Sequence, residues 1–238
     1  GKSPPRQSKV TENLLQNTDW SDRMIVLAAA NWNSVIPWMC GVTGGRVGLM
    51  MSPESGCPKT YPFLPFAIDN GRFQAVRQQR DWDEHGFFRI IEKIKDDETT
   101  PLFIVVPDVP MDADGTRKEF DRWCPKLEDL GWPLAMAVQD GMNPSDVPDG
   151  IMAFIGGTTA FKQEKACDFI DQCSFVHVGR VNSFRDLKSY DLLGAGSVDG
   201  SGFFREGYSG RNFQNLRRYF DWTGGGRNVS PTLFEKYQ

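Results

Sequence analysis

Leu134-Ala135-Met136-Ala137-Val138-Gln139-Asp140-Gly141 is an unbroken apolar run that stops on two polar residues and a glycine. A strand with one wet face alternates apolar and polar residues, whereas a strand covered on both faces, as in a parallel sheet, has no reason to alternate. Seven further runs share this form, at 25–30, 47–51, 65–69, 102–107, 151–155, 175–179 and 195–199. Helix-like patterns separate several of them. Phe87, Phe88, Ile90, Ile91 and Ile94 line one side of a Glu- and Lys-rich segment; Phe120, Trp123, Leu127 and Leu130 do so after Thr116; Phe161, Phe169, Ile170 and Cys173 punctuate a third. Eight strands with interleaved helices predict an α/β fold of the (β/α)8 TIM-type barrel. A doubly wound open sheet is the alternative, because periodicity does not distinguish closure from an open edge. The segment 31–46 holds Pro37, Gly41, Gly44 and Gly45, so no clean helix is expected there.

A chain of 238 residues suits one barrel domain. Residues 1–20 read as a flexible tail, and 21–238 as the barrel with a C-terminal helical extension. Hydrophobic and charged fractions of 39% and 24% exclude a largely disordered protein. The longest apolar stretch, 24–30, is too short to cross a bilayer, and no secretory leader pattern is present, so the cytoplasm of a bacterium or phage-infected host is the expected location. The net charge of −4 argues against a general basic coat for nucleic acid. Two local stretches are basic nonetheless, one with Lys2, Arg6 and Lys9, the other with Arg205, Arg211, Arg217 and Arg218. They read either as phosphate tracks or as solvated ends. The five cysteines are widely spaced and form no Cys-x-x-Cys pair, so free thiols are expected and neither a disulfide framework nor a zinc site.

In a barrel of this kind the chemistry sits at the carboxyl ends of the strands. Polar groups stand at nearly every such end: Asp69, Asp108, Gln139, Gly156-Gly157, His177 with Arg180, and Asp199. Any one of them is explained by turn formation. Together they point to a site, and Asp69 with Asp199 supplies the two carboxylates that glycosyl transfer uses.

These segments also carry a resemblance. Asp69-Asn70-Gly71-Arg72-Phe73-Gln74 is similar to the Asp-Ser-Gly-Gly-Phe-Gln motif of the queuine/archaeosine tRNA-guanine transglycosylases, and Val138-Gln139-Asp140-Gly141 resembles their Val-Gln-Gly-Gly. Ile155-Gly156-Gly157 resembles their Ile-Gly-Gly, and Val198-Asp199-Gly200 their Phe-Asp-Cys, in the same order. The family's zinc-binding Cys-x-Cys-x-x-Cys cluster and its distant His have no counterpart in 200–238. In that respect the chain looks like the compact, zinc-free DpdA-type relatives that insert 7-deazaguanines into DNA.

The resemblance implies base exchange, with DNA as the expected partner in preference to tRNA and a free 7-deazaguanine base as the second substrate. Asp199 would attack C1′ of a guanosine and Asp69 would manage protons. Asp108, Gln139, the glycines Gly156 and Gly157, and His177 would contact the base, and Phe73 would stack on it. An extruded nucleotide needs its phosphates held, a role assigned to Arg72, Arg180, Arg205 and Arg211, with Trp32, Trp38, Phe203 and Phe204 as candidate stacking partners for neighbouring bases. No cofactor and no metal are expected. A hydrolytic nucleobase glycosylase and a noncatalytic nucleobase-binding subunit remain as alternatives.

Two strings are set aside. Asp112-Ala113-Asp114-Gly115-Thr116 matches an aspartate-nucleophile phosphatase motif, but it does not directly end a strand, and Asp114 or Thr116 is expected to cap the next helix. The glycines at 41, 44, 45 and 48 lack the strand-turn-helix setting of a dinucleotide fingerprint. His85 is expected at the surface.

Overall fold

The computed structural model describes residues 24–29, 34–205 and 210–224. The expected tail, Trp32, and the end of the chain lie outside them. Eight strands form: β1 (Ile25–Ala28), β2 (Val47–Met51), β3 (Phe66–Ile68), β4 (Ile104–Val105), β5 (Leu134–Val138), β6 (Met152–Ile155), β7 (Val176–Val178) and β8 (Ser197–Gly200). All neighbours pair in parallel, and β8 pairs back to β1 with Leu27 opposite Asp199, so the sheet closes into a barrel. The open-sheet alternative is thereby excluded, and the fold is a (β/α)8 barrel.

Successive strand residues point to opposite faces. Ile25, Leu27, Met50, Ala67, Phe103, Val105, Ala135, Ala137 and Met152 fill the lumen. Their neighbours Val26, Leu49, Ile68, Ile104, Met136, Ile155, Val176 and Val198 join the layer under the helices. Both faces are covered, which is why the runs do not alternate.

The helices are α1 (Val35–Val42), α2 (Arg72–Arg77), α3 (Glu84–Asp96), α4 (Ala113–Glu128), α5 (Thr159–Gln172), α6 (Phe184–Leu193) and α7 (Arg211–Trp222). The first corrects the expectation for 31–46. Pro37 is the third residue of α1, inside the first turn, where a backbone N–H has no intrahelical partner to lose. Between β2 and β3 no helix forms, and the segment carries Pro53, Pro58, Pro62 and Pro65.

Capping follows the sequence closely. Asp83, Thr158 and Ser183 accept from the N–H groups of Gly86, Phe161 and Asp186. In α4 the cap is Asp112, accepting from Gly115 N at 3.0 Å, and not Asp114 or Thr116. Thr116 instead ties back to the loop, donating to Val109 O at 2.9 Å. Asp112→Ala should therefore cost about 1 kcal/mol of stability, measurable as a lowered denaturant midpoint; an unchanged midpoint would count against the cap. The expected helical extension is α7, which follows β8 and buries Phe213, Leu216, Tyr219 and Phe220. Arg46, just before β2, clamps its far end by donating to Tyr219 Oη and Thr223 Oγ1, each at 2.9 Å. All five cysteines are free thiols.

Candidate functional site

The carboxyl ends of the strands surround one cavity of about 160 Å³. That is well below the ~300–1,000 Å³ of a drug-sized pocket, so it suits a single fused ring system. Asp69, Asp108, Asp199, Gln139, Gly156, Gly157, Phe73 and Arg180 all line it. The chain distance between Asp69 and Asp199 is closed by the barrel.

Asp69 follows β3, and its backbone N–H extends the ladder to Met51 O at 2.8 Å. Gly71, at φ +81°, then turns the chain into α2. The Asp69 carboxyl accepts only a 3.3 Å hydrogen bond from Gly71 N. Burial first, then the charges of Asp199 and Asp108, push its pKa from an ordinary 3.8 to about 7. Half-buried yet facing two other acids, it is poised to exchange a proton near neutrality.

Asp199 belongs to β8, where alternation aims Ser197 and Asp199 into the lumen while Val198 packs outward. His177 of β7 pairs directly with Ser197 and faces the same way. His177 Nδ1 lies 2.7 Å from Ser197 Oγ, and Nε2 lies 3.0 Å from Asp199 Oδ1. A carboxylate only accepts, so the ring donates from Nε2, and in the neutral ring Nδ1 accepts from the serine hydroxyl. Arg180 N–H donates to the same Oδ1 at 3.2 Å. Both bonds fall on Oδ1, the other oxygen makes no hydrogen bond among the described residues, and Asp199 lines the cavity.

His177 is wholly buried and stacked on Phe154, with ring centroids 4.7 Å apart and planes at 17°. It is a support for Asp199 and does not line the cavity, which corrects its reading as a base contact. The signal was available in the sequence: Phe175 and His177 are two apart, and Phe175 packs in the lumen.

A second polar row runs across β3, β4 and β5. Asn70 Nδ2 donates to Asp108 Oδ1 at 3.0 Å and to Val106 O at 3.1 Å, and Gln139 Nε2 donates to Asp108 Oδ2 at 2.7 Å. Met111 N in turn donates to Gln139 Oε1 at 3.2 Å, which fixes the amide orientation. Burial raises the pKa of Asp108 to about 6, opposed by the Asn70 bond, the Arg72 charge and the Gln139 bond. Asn70, Met111 and Phe154 are lining residues that the sequence reading missed. Asn70 adjoins Asp69, but nothing local signals Met111, which protrudes at φ +67° and is 73% exposed.

Phe73 and Arg180 stand at the mouth. The Arg180 guanidinium lies 4.7 Å from the Phe73 ring centroid and donates to the carbonyls of Gly156 and Gly157. Arg72, by contrast, does not line the cavity. Its guanidinium pairs with Glu119 at 2.6 Å, donates to Asp108 O at 2.9 Å and lies 4.3 Å from the Trp82 ring, so it braces β4 and its phosphate role is withdrawn. Arg205 and Arg211 are exposed on the loop after β8 and at the start of α7, outside the cavity lining. Phe203 and Phe204 are buried and Trp38 packs against the core, so none of the three presents a free ring to a neighbouring base. His85 is exposed, within α3. Among the described residues no group of three or more His, Cys, Asp or Glu is placed to hold a metal ion, and no helix is long and apolar enough to cross a membrane.

The raised pKa of Asp69 sets a sign for stability. Between its unfolded value near 3.8 and about 7 the folded state holds a proton that the unfolded chain has released, so stability falls as pH rises through that window. Asp69→Asn should remove this loss and gain on the order of 2 kcal/mol at pH 8, the full shift being discounted for exposure to the cavity, and nothing near pH 3. Chemical denaturation at both pH values measures it; a variant less stable than the wild type at pH 8 overturns the argument.

No protein-family model matches the sequence, and no curated protein matches it. Solved structures match by fold. One is from the tryptophan synthase α2β2 complex of the hyperthermophile Pyrococcus furiosus, 12% identical over 86% of this chain and 98% of that chain, with a TM-score of 0.52. Another is tryptophan synthase from M. tuberculosis, 13% identical over 94% of this chain and 99% of that chain, with a TM-score of 0.50. At this identity the likeness is one of fold, and the site must be read from its own residues.

Proposed function

We propose that the protein is a glycosyltransferase that exchanges guanine in DNA for a 7-deazaguanine base. The observation that carries this reading is the placement of Asp69 and Asp199 in one cavity sized for a fused ring, with Asp199 anchored through Oδ1 and open at its other oxygen. In the first half-reaction that oxygen attacks C1′ as the bond from C1′ to N9 breaks. Asp69 gives its proton to the departing guanine. In the second, N9 of the incoming base attacks C1′, the ester to Asp199 breaks, and Asp69 takes the proton from N9. One difficult substitution becomes two easier ones, and both halves use the same acid-base group.

Asp108 is suited to read the donor edge of guanine, since each oxygen keeps a lone pair beyond the bond it accepts from Asn70 or Gln139. Gln139 has a second amide hydrogen for O6. Phe73 offers a ring face once Arg180 moves off it, and that arginine is then free for a phosphate. DNA is favoured over tRNA because the zinc-binding cluster of the tRNA enzymes has no counterpart in 200–238, in which respect the chain resembles the compact zinc-free relatives. The target guanine must leave the stack to reach Asp199.

The test is incubation with guanine-containing DNA and, in parallel, tRNA, each with a labelled 7-deazaguanine base. Label in DNA supports the proposal. Label only in tRNA changes the macromolecular substrate; abasic sites mean hydrolysis; neither product overturns the catalytic reading.

A further inference from the structure

Lys162 is a buried cation that the chemistry above does not use. It lies in the second turn of α5, is 4% exposed, and does not line the cavity. Its Nζ donates to Gly179 O at 2.6 Å. The carbonyl of Gly179 and the N–H of Arg180 belong to one peptide unit, and that N–H is one of the two donors on Asp199 Oδ1. A peptide unit is planar, so a group that fixes its carbonyl also fixes the direction of its N–H. A cation on the carbonyl also polarises the unit and strengthens the N–H as a donor.

The surroundings leave this peptide little freedom. Arg180 has φ +59°, a left-handed conformation that a side chain other than glycine seldom adopts unless it is held there. A methyl group placed on Gly179 would stand 3.3 Å from Asp199 Oδ1 and 3.3 Å from the Phe154 ring. The turn therefore lies close against the proposed nucleophile, with no side chain at Gly179 between them.

We propose that Lys162 is a positioning residue for Asp199: acting through the Gly179–Arg180 peptide, it holds Oδ1 so that the other oxygen faces the cavity. This rests on the glycosyl-transfer reading of the site. Burial and the neighbouring Arg180 lower the Lys162 pKa to about 8, against the charges of Asp199 and Asp186, which favour the ammonium. The hold is therefore strongest below pH 8 and weakens above it.

An HNCO spectrum of isotopically labelled protein tests the contact independently of any reaction, because the Arg180 amide cross-peak reports that N–H together with the Gly179 carbonyl carbon. In the wild type this cross-peak is expected to show an inflection near pH 8 in addition to those of Asp108 and Asp69 near 6 and 7, and in Lys162→Met to sit displaced and to keep only the latter two. In the same variant the rate of glycosyl-enzyme formation at pH 7 should fall about tenfold or more, with KM for the free base little changed, and the further fall near pH 8 should be absent, leaving only the decline through about 7 that Asp69 imposes. A wild-type cross-peak with no inflection near pH 8 beyond those of Asp69 and Asp108 overturns the relay even if the variant fails to fold. A variant that reacts at the wild-type rate overturns the positioning role whatever the cross-peak does. Wild-type protein that performs no exchange instead overturns the proposed reaction and, with it, the catalytic part of this role, while the spectrum still decides whether the contact exists.

Discussion

Asp199→Ala is expected to abolish incorporation of labelled base, a loss of about four orders of magnitude or more if the carboxylate forms the covalent bond. The protein should remain folded but less stable, because His177 Nε2 and Arg180 N–H both lose their acceptor. A buried donor left without a partner costs about 1–3 kcal/mol. The decisive measurement is a denaturing gel of enzyme with DNA and no free base. Wild-type protein should accumulate an adduct and Asp199→Ala none. An adduct that persists in the variant assigns the nucleophile elsewhere.

Asp69→Asn should slow both half-reactions by about 10²–10⁴-fold, the usual contribution of a positioned acid-base group. The two halves need opposite protonation states. Adduct formation requires the protonated acid and should decline as pH rises through about 7, whereas discharge by the incoming base requires the carboxylate and should rise through the same value. Asp108 titrates lower, at about 6, and its protonation would weaken reading of the base below that pH. Single-turnover rates of the two halves across pH 5–9 settle the assignment; parallel profiles for both would remove Asp69 from its role. Set beside the stability gain expected for the same substitution, the outcome would be a more stable and nearly inactive protein.

The barrel was legible because a strand buried on both sides leaves an uninterrupted apolar run, and each of the eight runs overlaps a strand. The residues closing those runs, Asp69, Asp108, Gln139, Gly157 and Asp199, meet at one cavity for the same reason: parallel closure brings every carboxyl end to one rim. Other features depended on partners distant in sequence. Arg72 read as a free cation because its partner Glu119 is 47 positions away on α4. Lys162 carried no signal in the sequence, since no local pattern distinguishes a lysine aimed at a strand end from one aimed at solvent. Asp112 was passed over as the cap in favour of later residues of the same string, and only its 3.0 Å bond to Gly115 N decides the matter.

Three acids converging on so small a chamber have a consequence for how anything gets in. Any polyanion pushed toward the floor meets a repulsive potential in a setting that screens it poorly. A phosphorylated nucleotide can place its uncharged heterocycle inside only by keeping its ester groups out past the rim. On the proposed function the chamber is thus expected to act as an electrostatic sieve that favours neutral flat rings over free nucleotides.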